Sequence, residues 1–591
     1  MDHTSDHTSD HTPTNEFMSN ADVAQVFERM ADLLDIEGAN TFRVRAYRRA
    51  AQVLESLPQA VAEMVKKHEP LDELPGIGSD LAGKIEEVLK TGHLRALEEA
   101  EQRTPPELTE LLKVGSLGPK RVHALQSELG VTGLDELIKA AREHRIRELT
   151  GFGVKTEEKI LKEALKLASS TENKRVRRDR VEGLAEGLTR FLKEGKGVKE
   201  VVVAGSYRRK RETVGDLDVL ITASPQSDVM DRFVKHPEVR DVLSHGSTRS
   251  TVIMKNGLQV DVRAVEEDSY GAALYYFTGS KEHVIAVRTL AQQAGLKINE
   301  YGVFRDDERI AGRTEKEVFA TVGLPYIDPE LRENKGEIEA AKHGRLPRLV
   351  AVADLKGDLH AHTTASDGRN SLEDMVATAQ RLGYQYLAIT EHSQSLKVAH
   401  GLDEDRLARR LDEIDRFNES LNGFRVLKGA EVDILENGEL DYPPSLLKRL
   451  DLAVCSVHSH FDLSREKQTE RLLRALENPY CDILGHPTGR QLGFREPYDV
   501  DLERVLQKAH DAGCAVEVDS QPERLDLNDT GCRLAKDLGV KVVIDSDAHG
   551  TEGLARIRFG VDQARRGWIE PEDVLNTKPL DEFLRSLRRH H

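Results

Sequence analysis

Asp216 and Asp218 stand two residues apart in Gly215-Asp216-Leu217-Asp218-Val219-Leu220-Ile221, so a strand through them projects both carboxylates from one face. Leu217, Val219 and Ile221 take the opposite face, toward a core. Two carboxylates forced together repel, and a divalent cation relieves that repulsion. Oxygen-only ligands suit Mg²⁺ or Mn²⁺, with a substrate phosphate completing the shell. Leu258-Gln259-Val260-Asp261-Val262-Arg263 alternates strictly and supplies a third carboxylate from its polar face. Three aspartates on adjacent strands can hold two metals, one activating an attacking hydroxyl and the other clamping a triphosphate and its leaving group.

A second set of chemistry-bearing residues begins at Asp358-Leu359-His360-Ala361-His362, with Asp367 in the following loop. Apolar strands then recur, each with a polar residue at its C-terminal end. Tyr386–Thr390 leads to His392, Phe424–Leu427 to Glu431, Leu452–Val457 to His458, Ile483–Gly485 to His486, and Val542–Ile544 to Asp547 and His549. Strands alternating with helices and carrying polar ends describe a βα barrel with its site at the top. The mixed nitrogen and oxygen ligands favour Mn²⁺, Zn²⁺ or Fe²⁺ over Mg²⁺, and such a cluster activates water for phosphoester hydrolysis.

The elements around the aspartates point to phosphate. The apolar run Val201–Ala204 predicts a buried strand that ends at Gly205-Ser206, where backbone amides and a hydroxyl approach a phosphate closely; Arg209 pairs with its charge. Upstream, Leu74-Pro75-Gly76-Ile77-Gly78 opens a helix with a tight turn. Related patterns follow at Val114-Gly115-Ser116-Leu117-Gly118 and Leu149-Thr150-Gly151-Phe152-Gly153. Turns of this type aim free amides at a DNA phosphate without reading bases, which makes Gly76, Gly78, Gly115, Gly118, Gly151 and Gly153 the candidate DNA contacts.

Gly205–Ile221, together with Tyr275-Tyr276-Phe277-Thr278-Gly279-Ser280 and Ile298-Asn299-Glu300-Tyr301, resembles the family X DNA polymerases, the DNA polymerase beta family. The resemblance implies that Asp216, Asp218 and Asp261 are catalytic metal ligands. It puts Gly205, Ser206, Arg209 and Arg175 on the triphosphate, and Tyr276, Phe277 and Gly279 on the sugar and base. Lys281 and Val284 depart from the eukaryotic pattern. Lys84 falls at the lysine that removes a 5′ sugar-phosphate through a Schiff base, with Asp80 where the eukaryotic enzyme has another lysine.

The second half resembles the PHP (polymerase and histidinol phosphatase) domain. That likeness implies one metal on His360, His362, Glu431 and Asp547, another on Asp367, His392 and His549, and a third on Glu431, His458 and His486, with His360 and His362 counted as catalytic. Glu517 and His460 lie near without an assigned role.

At 591 residues the chain exceeds one core, and its net charge of −18 excludes bulk coating of nucleic acid, so polyanion contacts must be local. The four cysteines form no C-x-x-C pair, which suits reduced thiols. No stretch reads as membrane-spanning, and a cytoplasmic monomer is expected.

The expected organisation is multidomain α+β and α/β. A disordered tail at 1–18 precedes helical helix-hairpin-helix modules at 19–97 and 98–173. A nucleotidyltransferase palm follows at 174–267, a small thumb at 268–328, a charged linker at 329–352, and the distorted βα barrel of the PHP domain at 353–591. The resemblances imply gap-filling DNA synthesis in repair on gapped or primed DNA with dNTPs, and a Mn²⁺-dependent 3′→5′ exonuclease. They also imply abasic-site cleavage or 3′-phosphate removal. Three alternatives stay open: a silent palm serving as a scaffold for the nuclease, hydrolysis of a small phosphate ester, and template-independent nucleotidyl transfer.

Overall fold

A computed structural model describes residues 20–590 except 58–59, 105–107, 113, 173–174 and 225–226; the Asp-His-Thr-Ser tail lies outside the described residues. Contacts divide the chain into two units. The first takes the described residues up to Val176, then Leu184–Gly205 and Gly215–Tyr326. The second takes Arg177–Gly183, Ser206–Val214 and everything from Ile327 onward.

In the first unit, helices Asn20–Ile36 and Thr41–Ser56 bury the stripe that the 3.6-residue period picks out: Val23, Phe27, Met30 and Leu34 against Tyr47, Ala50 and Leu54. Asn40 starts the second helix by accepting from Phe42 N–H (2.9 Å). The three glycine-bearing turns share one hydrogen bond, Ile77 N–H to Leu74 O, Leu117 N–H to Val114 O and Phe152 N–H to Leu149 O. Gly78 and Gly118 are the N-caps of the helices that follow the first two turns, and Gly153 immediately precedes the third. The shared bond also sets the register: Ser116, not Gly115, is equivalent to Gly76 and Gly151, the two glycines with positive φ.

Five strands, β1 (Val198–Val203), β2 (Asp216–Ala223), β3 (Val239–His245), β4 (Arg249–Met254) and β5 (Gln259–Val265), form one sheet in the order β1-β2-β5-β4-β3. β2 and β5 are parallel neighbours, and their register sets Asp218 directly opposite Asp261. The sheet's other face buries Leu217, Val219, Ile221, Val260 and Val262. A three-stranded antiparallel sheet, β6 (Lys297–Asn299), β7 (Gly302–Arg305) and β8 (Glu308–Ala311), follows helices Tyr270–Thr278 and Lys281–Gln293. Val284 packs inside, 5% exposed.

The second unit carries seven parallel strands in sequential order: β9 (Gly357–Asp358), β10 (Tyr386–Ile389), β11 (Arg425–Asp433), β12 (Leu452–Ser456), β13 (Ile483–Leu484), β14 (Ala515–Asp519) and β15 (Val542–Asp545). A parallel bridge between Ala361 and Ala548, with His362 N–H donating to Ala548 O (2.9 Å), joins the segments that follow the first and the last strand. Leu359, Tyr386, Leu427, Leu452, Val454, Ile483 and Val543 fill the interior. Phe583 and Leu587 of the C-terminal segment join that interior cluster.

The stretch 329–352, expected to be a linker, is folded into this unit. Arg332 and Glu337 are 0% exposed, and Val350 is buried. Arg332 Nε donates to Ile327 O (2.9 Å), while Glu337 accepts from Asn334 and Lys335 N–H (3.0 and 2.8 Å). These charges are buried because they are hydrogen-bonded, a property that composition does not display.

Near the C-terminus, Arg589 grips buried Asp482 through Nε (3.0 Å to each oxygen) and donates to Leu450 O (2.6 Å) and Leu447 O (3.2 Å). Breaking a buried pair from one side leaves the other charge uncompensated, so Arg589→Ala is expected to cost about 3–5 kcal/mol in the second unit's unfolding free energy. Chemical denaturation of the two proteins measures this.

Candidate active sites

In the first unit, Asp216 and Asp218 point from β2 toward Asp261 on β5. Burial pushes Asp218 up to about 7, and the charges of Asp216 and Asp261 push in the same direction. Asp216 is raised by burial and then by Asp261, against the pull of Arg175. Asp261 is held by Thr251 Oγ1 (2.6 Å), Gln259 Nε2 (2.7 Å) and Arg249 Nη2 (3.1 Å). Gly205 has φ +59°, and a Cβ there would meet Asp218 Oδ2 at 2.6 Å, so only glycine fits beside that carboxylate. Asp216 and Asp218, both raised, beside an Asp261 that three side chains hold in place, fit a divalent cation site.

Tyr276 and Phe277 are half-buried at the end of their helix, their rings 5.1 Å apart, with Arg263 over Phe277 (4.6 Å) and buried Gly279 next. A cavity of ≈ 280 Å³ lies there, lined by Arg249, Arg263, Phe277, Glu300 and Tyr301.

The structure thus gathers Asp216, Asp218 and Asp261 with Gly205 and Arg175. Ser206 and Arg209 belong by their contacts to the second unit. There Arg209 Nε donates to Glu333 Oε1 (3.0 Å), and Arg566 donates to Arg209 O (2.8 Å) and Glu333 (2.9 Å).

Two other expectations meet the structure differently. Ser116 donates to Glu163 through its N–H (2.8 Å) and its hydroxyl (2.6 Å), so an internal carboxylate already occupies the amide of the second turn. Lys84 donates to Asp80 (2.5 Å) and lies 5.5 Å from the Tyr47 ring centroid. Burial alone would lower its amine, but Asp80 and Tyr47 outweigh it and raise the pKa, the reverse of what a Schiff-base nucleophile needs.

In the second unit the strand ends converge. Glu431 is the hub, 1% exposed, with His392 Nδ1 at 2.7 Å, His486 Nε2 at 2.9 Å, His458 Nε2 at 3.1 Å, His360 Nε2 at 3.4 Å and His362 Nε2 at 3.6 Å. Three ligand groups emerge among the described residues: His362 with Asp367, His392 and His549; His360 with His362 and Asp547; His392 with Glu431 and His458. The expected residues are therefore brought together, but His362 and His392 each stand between two groups, and His486 reaches the third through Glu431. His460 lies outside, exposed, 3.9 Å from Glu436.

The donor set fits metals. His360 Nε2, both nitrogens of His362, Glu431 Oε2 and Asp547 Oδ1 are buried polar atoms that make no protein hydrogen bond. Burying that many would be costly unless a ligand took them. Asp367 and His549 are about 30% exposed and form the open side. A cavity of ≈ 210 Å³ begins at Asp547 and His549 and is lined by the cations Arg369, Arg524 and Arg556 together with Gln521, Glu523 and Glu552.

The sequence pattern assigns no role to the residues behind the ligands. Asp433 accepts from His458 Nδ1 (2.8 Å). Glu391 accepts from Thr363, Ser366 and Arg410, anchoring the loop that carries Asp367. The available signal was acidic residues inside or beside otherwise apolar strands.

Protons compete with metal here. Burial lowers His362 to about 3, aided by His392 and His549. Burial would lower His392 and His549 too, but Glu431 and Asp367 lift His392 to about 10, and Asp547 and Asp367 lift His549 to about 9. Raised imidazoles stabilise the metal-free fold fully below their unfolded value near 6.5, and that stability is lost as pH rises through about 9 and 10. Metal binding must displace those protons, so Mn²⁺ affinity should climb steadily from pH 6 to 9 while metal-free stability falls. Calorimetric titration at several pH values, beside thermal unfolding in chelator, reads both trends.

Family models match along the chain: helix-hairpin-helix domain (residues 18–94), SAM-like helix-hairpin-helix tandem (108–166), DNA polymerase beta palm (175–273), DNA polymerase beta thumb (273–333) and PHP domain (358–520). The chain is 37% identical over 584 residues to the DNA polymerase/3′-5′ exonuclease PolX of Bacillus subtilis (strain 168), covering 97% of this chain and 100% of that protein. Its C-terminal part is 30% identical to a probable phosphatase of Thermoanaerobacter sp. (strain X514), covering 39% of this chain and 95% of the relative. It is 32% identical to another of Caldanaerobacter subterraneus subsp. tengcongensis, covering 39% and 92%. No helix among the described residues is long and apolar enough to cross a membrane.

Proposed function

The chain belongs to the PolX family of bacterial family X DNA polymerases with a PHP domain, and from that premise we propose that it fills short gaps during DNA repair with one site and trims 3′ ends with the other. It is a DNA polymerase and a 3′→5′ exonuclease. The observation that carries the division of labour is the presence of two chemically different ligand sets, carboxylates alone on β2 and β5 and an imidazole-rich nest at the barrel's top.

For synthesis, Asp216, Asp218 and Asp261 hold Mg²⁺ or Mn²⁺, which when bound supply charge neutralisation for hydroxyl attack on a dNTP α-phosphate. Thr251, Gln259 and Arg249 keep Asp261 oriented, and Gly205 lets the chain pass against Asp218. Tyr276, Phe277 and Gly279 face the sugar and base. Ser206 and Arg209 take the triphosphate, for which Arg209 exchanges its Glu333 partner. Gly76, Gly78, Gly151 and Gly153 meet DNA phosphates, whereas Gly115 and Gly118 flank a turn whose amide Glu163 holds. Lys84 has a structural role, paired with Asp80.

For trimming, the three groups around Glu431 hold Mn²⁺, Zn²⁺ or Fe²⁺, and Arg524 and Arg369 draw the phosphate of the strand end to the open side at Asp367 and His549. Abasic-site cleavage and 3′-phosphate removal draw on the same centre. DNA is the substrate of both sites.

Gapped DNA labelled at the 5′ end of its primer, incubated with Mn²⁺, tests the proposal. Extension to the gap's end with dNTPs, and stepwise shortening without them, are expected. Shortening without any extension would leave only the nuclease. A second reading draws on the probable phosphatases that match the barrel: hydrolysis of a small phosphate ester. It gains ground if an aryl phosphate competes with DNA for the barrel site.

A further inference from the structure

We propose that Glu517 is a positioning residue that orients a ligand in each of two of the barrel's metal groups, so that both depend on it to hold their ions. The proposal rests on the metal-dependent reading of the barrel given above. Glu517 sits mid-strand on β14, 0% exposed, on the same face as Ala515, which joins the barrel's interior cluster. Its two oxygens face two different ligands. His360 Nδ1–H donates to Oε1 (2.6 Å), and the backbone N–H of His486 donates to Oε2 (2.6 Å).

The first bond fixes the His360 ring so that Nε2, which makes no protein hydrogen bond, turns to Glu431 (3.4 Å) and Asp547 (3.6 Å). The second fixes the backbone from which the His486 ring reaches Glu431 at 2.9 Å. One carboxylate therefore orients a ligand in the group with His362 and Asp547 and another that joins His392, Glu431 and His458. The remaining group, with Asp367 and His549, is anchored separately, through Glu391 and its partners in the 363–366 loop.

A Cβ on Gly485 would lie 2.3 Å from Ser456 Oγ and 2.7 Å from Val454 Cγ1, so only glycine fits immediately before His486, whose N–H reaches Glu517. A carboxylate behind a histidine ligand fixes its ring and raises its basicity, and losing such a partner typically weakens metal binding about 10–100-fold. What is particular here is that a single carboxylate does this for two groups.

The test is Mn²⁺ binding by equilibrium dialysis with elemental analysis, on the full chain carrying Asp218→Asn so that the palm contributes less. The parent is expected to bind three barrel ions, one for each group. Glu517→Ala should weaken two of the three about 10–100-fold and spare the third. Glu517→Gln keeps the shape but has one acceptor oxygen for two N–H donors, so it should weaken one site more than the other. Thermal unfolding in chelator checks that both variants fold, and 3′-end trimming should fall in step with ion loss. Three unchanged affinities in Glu517→Ala would overturn the proposal, as would uniform loss of all three ions in both variants. A parent that binds no barrel ions would instead overturn the reading beneath it.

Discussion

Asp218→Asn is expected to lower primer extension by roughly a thousandfold or more while 3′-end trimming continues at the wild-type rate, since metal-borne charge stabilisation is worth several kcal/mol. Asp218 is the carboxylate most dependent on its neighbours: it lies between Asp216 on its own strand and Asp261 across the sheet, with Gly205 pressed against it. The amide keeps the shape and removes the charge, so loss of extension without loss of fold isolates the electrostatic role. Stability supplies an independent sign.

Burial and the two flanking carboxylates raise Asp218 to about 7 in the metal-free protein. A carboxylate whose folded value is raised penalises the folded state as pH climbs above its unfolded value, and the penalty is complete once pH passes the folded value. Metal-free Asp218→Asn should therefore unfold at a higher temperature than wild type at pH 8. That advantage should vanish toward pH 4. Thermal scans in chelator at the two pH values, beside extension assays, check both halves.

Glu431→Gln is expected to produce the mirror image, with trimming down roughly a thousandfold and extension intact. Five histidines approach this carboxylate within 3.6 Å, and two of its contacts, His458 and His392, are among the groups that hold its pKa well below the ordinary range despite burial. No other described side chain touches as many of the ligands. Replacing one oxygen by an NH₂ sets a donor among ring nitrogens and removes the anion that balances them. Metal analysis of the variant should show loss of the ions that share Glu431, with the group at Asp367 and His549 least affected. Exonuclease rates and ion counts on one preparation measure the effect.

Much of both sites was legible because the chemistry sits on regular periods. Asp-x-Asp on a strand and an alternating Asp261 strand leave few ways to pair, and the register that sets Asp218 beside Asp261 follows from burying Leu217, Val219, Val260 and Val262 together. Polar residues closing successive apolar runs announced the barrel for the same reason.

What stayed hidden depends on tertiary pairing. Thr251 and Arg249 look like ordinary strand residues until β4 lies beside β5. Arg209 and Glu333 are 124 positions apart. The segment 329–352 looks polar, yet Arg332 and Glu337 are buried because backbone groups satisfy them. In the second turn the glycine spacing suggested Gly115, while the Val114–Leu117 hydrogen bond shifts the frame so that Ser116 takes the place.

The most direct measurement is anomalous diffraction from crystals soaked in Mn²⁺. Peaks are expected between Asp218 and Asp261, with a separate tight cluster around Glu431, bounded by His360, His486, Asp547 and Asp367. Peaks at only one of these places, or barrel peaks scattered over surface histidines such as His460, would contradict the two-site assignment.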